Sequence, residues 1–223
     1  MQNDANVETT IVGIQNNVNI SDKALQKFCS SIIPEFIKDL GGVLSDQVKS
    51  WRFMNQIKLL EKTKKICEEN NIPLKAVKLK FLVPLLENSS LEEDKNMQTR
   101  WAALLASAIK QTDEINPSFI DILKQLTSKE ATVLDKLYVE SSQKASLRER
   151  NELQFSKEKV MEIFFLTEEN FDLMLDNLFR LNLCRTPASH NGTKIGNYPI
   201  MLQTKDVFEF TSLGYAFVRA CIS

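Results

Sequence analysis

The sequence predicts a mainly α protein, an N-terminal helical bundle followed by a winged-helix-like α+β C-terminal module, and three observations carry that prediction. Apolar residues recur at helical spacing through most of residues 22–142. The last third changes pattern, with two helical stretches, short β-rich pieces broken by turn signals, and a closing helix. Between them runs ESSQKASLRERNELQ, a charged stretch with few large apolar residues. The expected organisation is a loose tail over 1–21, a helical domain over 22–142, a charged connector over 143–154 and the α+β module over 155–223.

Composition excludes several classes. At 223 residues, 43% hydrophobic and 26% charged, the chain lies in the ordinary globular range rather than the disordered one. Its formal net charge of -1 provides no global field toward nucleic acid or an anionic membrane, so such a contact needs a local patch. Cys29, Cys67, Cys184 and Cys221 are far apart and form no CxxC, which reads as reduced, mostly buried thiols rather than a zinc site or a disulfide scaffold. The Asn-rich start, MQNDANVETTIVGIQNNVNI, lacks the basic opening and apolar core of a secretory signal. The longest apolar run, Phe81 to Leu86, falls far short of the about 20 residues a membrane span needs. A cytoplasmic protein without a transmembrane segment is expected, and the sequons at Asn19, Asn88 and Asn191 read as chance matches.

The first helix is expected from about Asp22 to Leu40, where Leu25, Phe28, Cys29, Ile32, Ile33, Phe36 and Ile37 share one side. Pro34 would kink it and Gly41-Gly42 would stop it. That apolar face suits the bundle core, and peripheral membrane contact is the other use it allows. A long second helix is expected from Leu44 to Asn70, ended by Asn70-Asn71-Ile72-Pro73, with apolar groups on more than one side, as in a central helix. It opens a lysine-rich region in which Arg52, Lys58, Lys62 and Lys65 form a possible basic surface. All the cations on this helix taken together, Lys49 and Lys64 included, point all round it, which reads as a solvated surface rather than a stripe for nucleic acid or lipid.

A third helix is expected over Leu74 to Glu87, bent or ended at Pro84. Ser90 to Ala108 then reads as one helix with a specified start. Ser90 and Glu93 have capping-box spacing, and Glu92, Glu93 and Asp94 complement the positive end of the helix dipole. Met97, Trp101, Leu104, Leu105 and Ala108 gather on one side, while Ala103 and Ser107 keep the opposite side low for a close neighbour. Asn116-Pro117 opens FIDILKQL, and Thr127 with Glu130 opens EATVLDKLY.

LEEDKNMQTRWAALLASA followed by NPSFIDILKQLTSKEATVL resembles the Abi-alpha (abortive infection alpha) family of bacterial proteins, over most of residues 36 to 186. The pattern is an acidic helix start, a Trp-Ala-x-Leu-Leu-Ala core and a Pro-x-Phe-x-x-Ile-Leu-x-Gln-Leu segment. Here Glu92, Glu93, Trp101, Ala102, Leu104, Leu105, Ala106, Pro117, Phe119, Ile122, Leu123, Gln125 and Leu126 carry it. Many members have His before the Pro; this chain has Asn116, which removes any role for an imidazole there. The resemblance implies a setting, the halting of growth in phage-infected bacteria, and leaves the biochemistry open.

The C-terminal third orders its pieces as a winged helix would. A segment from Phe155 to Met161 precedes a helix opened by Thr167, EENFDLMLDNLFRLNL. Strand-like LCRT, a hairpin with its tip at Asn191-Gly192, YPIMLQT and VFEFT follow, and Thr211-Ser212-Leu213-Gly214 leads into LGYAFVRAC. In such a fold the Thr167 helix would enter the major groove, yet it holds Glu168, Glu169, Asp172 and Asp176 against Arg180, and the wing adds His190 and Lys194. Direct DNA reading is disfavoured and protein contact favoured. One histidine and no Gly-rich phosphate loop leave no catalytic constellation, no cofactor and no metal site to expect. Adjacent Glu92, Glu93 and Asp94 diverge on a helix and do not form a cation cage. The expected function is non-enzymatic phage defence through a protein partner, self-association or a membrane surface, with a DNA-binding regulator as the alternative.

Overall fold

The computed structural model describes residues 23–32, 46–110, 115–143, 153–187, 193–195, 198–200 and 206–222. The expected tail over 1–21, the second half of the first helix with Pro34 and Gly41-Gly42, most of the charged connector, His190 and the Asn191-Gly192 tip lie outside the described residues. The protein is mainly helical, with a small three-stranded antiparallel sheet. It divides into two compact units, Met1–Pro117 and Ser118–Ser223.

In the first unit, α1 (Lys23–Ile32), α3 (Leu79–Ser89) and α4 (Lys95–Lys110) pack against the long α2 (Asp46–Glu69). Leu25, Phe28 and Ile32 bury the apolar side of α1. Helix α2 buries Ile57 and Leu59, which project in different directions, as a helix with neighbours on several sides must. It ends at Asn71, where φ is 52° and Ile72 N donates to Cys67 O at 2.8 Å. This is a Schellman turn with Asn at the left-handed position. Five residues beyond Ile72 the chain is still extended, so α3 starts at Leu79 rather than the expected Leu74. Val77 is the cause: its side chain is buried, and its N donates to Ile32 O at 3.1 Å, tying the extended stretch to the end of α1. Pro84 neither ends nor limits α3, which continues to Ser89.

The start of α4 also differs from expectation. Ser90 lies before the helix, buried, donating to Glu87 O at 2.6 Å. Asp94 is the cap instead: its Oδ1 accepts from Asn96 N at 2.8 Å and Met97 N at 2.9 Å. Aspartate satisfies two free amides and adds negative charge at the dipole's positive end, so it outcompetes the serine four residues earlier. From there α4 is buried almost all round, through Met97, Arg100, Trp101 and the run Ala102 to Ala106 to Ile109. The close neighbour sits at Ala102, whose carbonyl accepts from Thr63 Oγ1 of α2 at 3.4 Å.

In the second unit, α5 (Ser118–Leu123) and α6 (Ser128–Ser142) pack with the α+β elements, although the sequence grouped them with the helices before them. Phe119 meets Phe217 edge-on at 5.6 Å and Tyr138 lies 4.8 Å from Tyr215. The remaining elements are β1 (Gln154–Ser156), α7 (Lys157–Phe164), α8 (Glu168–Arg180), β2 (Cys184–Arg185), β3 (Thr193–Ile195), β4 (Tyr198–Ile200), β5 (Val207–Phe210) and α9 (Ser212–Cys221). The sheet order is β1-β5-β2, all antiparallel, with Phe155 opposite Phe208 and Cys184 opposite Phe210. Strand β1 was not legible in the sequence; it is only three residues long, and pairing with β5 makes it. Strands β3 and β4 pair antiparallel, with Ile195 opposite Tyr198. Phe155, Phe171 and Phe208 build the core under the sheet, with Phe155 and Phe208 5.8 Å apart and Phe171 and Phe208 6.1 Å apart.

The β5–α9 junction is held by Thr211. Its N donates to Leu183 O at 3.0 Å, its hydroxyl donates to Asn182 O at 2.6 Å and accepts from Gly214 N at 2.9 Å. Gly214 is required by close approach, since a Cβ there would sit 2.0 Å from Leu183 O. The sharpest energetic claim concerns α4. Trp101 is 1% exposed, so Trp101→Ala should cost about 3–5 kcal/mol in chemical denaturation, and a loss under about 1 kcal/mol rejects its burial.

Candidate functional site

Two members of the possible basic surface on α2 are engaged within its own unit. Arg52 Nε donates to Ser90 Oγ at 2.9 Å and its Nη2 to Glu87 O at 3.4 Å, so the guanidinium clasps the α3–α4 junction. Asn55, buried on the same helix, donates from Nδ2 to Ser90 O at 3.0 Å and Glu92 O at 3.4 Å. Lys62 Nζ reaches Lys95 O and Thr99 Oγ1, both at 3.3 Å, over the first turn of α4. Burial, and then the neighbouring ammonium groups of Lys95 and Lys58, lower its pKa. Lys65 pairs with Glu69 at 3.7 Å, and Lys58 is exposed. Lys58, Lys62 and Lys65 recur at i, i+4 and i+7 on one side of α2, while Arg52 and Lys62 are engaged by the α3–α4 junction and the first turn of α4.

The motif residues fall into both units. Glu92 and Glu93 lie in the loop before α4, where Glu92 Oε1 accepts from Asp94 N at 3.0 Å and Glu93 is exposed. Trp101, Leu104 and Leu105 form the centre of α4, all buried. Pro117 precedes α5, while Phe119, Leu123 and Leu126 are buried in the second unit. All of these build cores or helix starts.

Gln125 and Glu130 do something the sequence did not disclose. The expected capping box forms: Glu130 Oε2 accepts from Thr127 N at 2.7 Å, and Thr127 Oγ1 accepts from Glu130 N at 3.2 Å. The other carboxylate oxygen accepts from Asn177 Nδ2 of α8 at 2.8 Å, and the same amide donates to Gln125 O at 3.3 Å. Arg180 completes the lattice, donating to Gln125 Oε1 at 2.9 Å and Asn177 Oδ1 at 2.6 Å. The one basic side chain of α8 is thereby committed to the α5–α6 turn.

What remains on the outward side of α8 is acidic and apolar. Phe171, Met174, Leu175 and Leu178 face the core, and Glu169, Leu173, Asp176 and Arg180 recur on the opposite side. Leu173 is 64% exposed. Lys157 Nζ covers Glu168 Oε1 at 3.0 Å and Asp172 Oδ1 at 3.4 Å, and Glu168 first, then Asp172, raises the pKa of that ammonium. Ahead of the helix, Phe165 is 93% exposed at φ 49°. Leu166 N donates to Met161 O at 3.0 Å, so α7 ends in the same Schellman turn as α2 and α8. Asn71 and Asn182 take the left-handed position in those two; here a phenylalanine does. Leu166 and Phe171, both buried, then occupy the staple positions around the Thr167 cap, which accepts from Asn170 N at 3.3 Å. The run Phe164-Phe165-Leu166 before a capping Thr is the sequence signal for this site, but it does not say which of the three is left outside.

Among the described residues no three His, Cys, Asp or Glu side chains are grouped to hold a metal ion, and no helix is long and apolar enough to cross a membrane. Cys29, Cys67, Cys184 and Cys221 are free thiols. Burial pushes Cys67 up to about 11 and raises Cys29 and Cys184 as well.

The profile of the family described as abortive infection alpha matches residues 52–221, from within α2 to the end of α9. The match begins later and reaches further than the motif resemblance over 36–186. No curated protein and no solved structure matches the chain.

Two measurements check this description. Phe165→Asn should raise stability by about 1 kcal/mol in thermal or urea unfolding, because it relieves the left-handed strain and loses almost no burial; a destabilised variant would contradict the geometry. The change at Cys67 from 9.0 to about 11 cuts its thiolate roughly a hundredfold at neutral pH. In native buffer Cys67 should therefore resist an aromatic disulfide reagent that labels it rapidly in guanidinium, and equal rates would refute the buried thiol.

Proposed function

The chain belongs to the abortive infection alpha family, and from that membership we propose that it is a non-enzymatic phage-defence protein acting in the cytoplasm through protein contact, self-association or a membrane surface. The family supplies the setting, abortive infection. The observation that carries the mode of action is the outward side of α8, with Glu169 and Leu173 exposed and Arg180 held by Gln125 and Asn177. A side that pairs carboxylates with bare apolar surface suits a protein partner and repels phosphate.

The alternative reading, a DNA-binding regulator, draws support from topology. The succession β1, α7, α8, β2, hairpin, β5, with sheet order β1-β5-β2, resembles that of a winged helix, and on that reading α8 would be the groove-entering helix. Charge weighs against that use of the fold, because a groove reader needs cations at phosphates and donors at base edges.

Expression in a bacterial host challenged with a broad phage panel tests the proposal. The expected outcome is at least about a tenfold fall in plaque number for one or more phages, with growth arrest of infected cells, and no change across the panel overturns it. A gel shift with random duplex at low salt separates the readings: no shift is expected, whereas salt-sensitive binding there favours the regulator.

A further inference from the structure

Phe165 is costly in two ways. A left-handed φ strains an L side chain, and a phenyl ring left in water forgoes the burial that phenylalanine usually brings. The protein uses Asn at the two equivalent turns, so the geometry alone does not call for an aromatic there. A strained, uncovered ring that its own chain does not bury is a natural anchor for something outside. Ile163 of α7 and Leu173 of α8 add exposed apolar surface, and the exposed carboxylates of Glu162 and Glu169 lie on the same two helices.

The first unit carries the chemical complement. After α2 the extended stretch to Lys78 turns Val77 inward and leaves Leu74, 43% exposed, with Lys75 and Ala76 in solvent. Leu79 and Lys80, also exposed, continue it into α3. Bare leucines flanked by lysines match bare Phe, Ile and Leu on elements that carry exposed Glu162 and Glu169 in both terms of recognition, apolar area and sign of charge.

We infer that these two surfaces meet between copies of the chain: the Phe165 edge of α7 and α8 on one molecule seats on Leu74–Lys80 of the next. The contact is heterologous. A two-fold pairing of the acidic edge with itself would set Glu162 and Glu169 against like charge, and the lysine stretch has the same difficulty with itself. Self-association of this kind rests on the reading that the protein works by contact, and it names the partner surface.

The test is sedimentation velocity on the full chain across micromolar concentrations, at about 50 mM and about 500 mM salt. At low salt, species heavier than the 25.5 kDa monomer should form and should dissociate as salt rises. Phe165→Asn, Glu169→Lys and the pair Lys75→Glu with Lys80→Glu should each weaken association at least about tenfold. Phe165→Asn does so while the fold becomes more stable, which separates lost contact from lost structure. Glu169→Lys combined in one chain with Lys75→Glu and Lys80→Glu restores opposite charge and should recover association. A 25.5 kDa particle under every condition, variants that associate as the parent does, or a combined variant that stays monomeric each overturns the inference. Plaque counts on the same variants keep the two readings apart. A variant made monomeric that still protects supports the interface and overturns self-association as the mode of defence, whereas an associating chain without protection supports the interface and overturns phage defence.

Discussion

Helix α4 has almost no solvent side, and the first unit is arranged around that constraint. A helix that buries Met97, Arg100, Trp101 to Ala106 and Ile109 needs its neighbours close along that length and its free amides capped where it begins. Asp94 handles the start. The alanines around Trp101 and Leu104 let α2 approach until Thr63 reaches a backbone carbonyl. The Arg52, Asn55 and Lys62 side chains of α2 then bind the loop and first turn that lead into α4, so two of the cations on α2 serve the join between helices. The indole Nε1 of Trp101 has no hydrogen-bond partner, a cost that packing of the ring offsets.

Much of this architecture was legible in the sequence, and the misses share a cause. Helical spacing placed α2, α4, α6 and α8 closely, and Thr127, Thr167 and Thr211 announced their helices because a capping side chain acts within four residues of itself. Where the deciding contact is distant, sequence reading slipped. Val77 holds residues before α3 extended because it bonds to Ile32, far back in the chain, and β1 exists because β5 lies beside it. Ser90 and Glu93 have the spacing of a cap, yet Arg52 and the end of α3 occupy Ser90. Two adequate caps stood four residues apart, and local rules could not rank them.

The candidate surface was less legible than the fold. The acidity of α8 and the scarcity of cations on it could be read directly, and that reading survives in the outward side of the helix. The fate of its single arginine could not, since Gln125 and Asn177 are distant from one another in sequence and meet only through the turn before α6. Nor could the exposure of Phe165. Three apolar residues precede the Thr167 cap, and only the handedness of the turn decides that Leu166 goes in and Phe165 stays out. Nor could the sequence say which cations of α2 are engaged: Arg52 and Lys62 reach the loop and first turn of α4, while Lys58 and Lys65 stay exposed.

The lattice joining Gln125, Glu130, Asn177 and Arg180 has a consequence for anything that approaches α8. Its guanidinium already has two acceptors, so an incoming ligand that wants Arg180 must compete with them, and its apparent affinity is lowered by the free energy of breaking that arrangement. The linkage runs both ways: a change that loosens the α5–α6 turn raises affinity for an acceptor-bearing ligand, and capture of Arg180 by such a ligand loosens the turn. Glu130 extends the coupling, since the carboxylate that holds Asn177 also closes the first turn of α6. Occupancy of α8 and order at the start of α6 are thus two readings of one equilibrium.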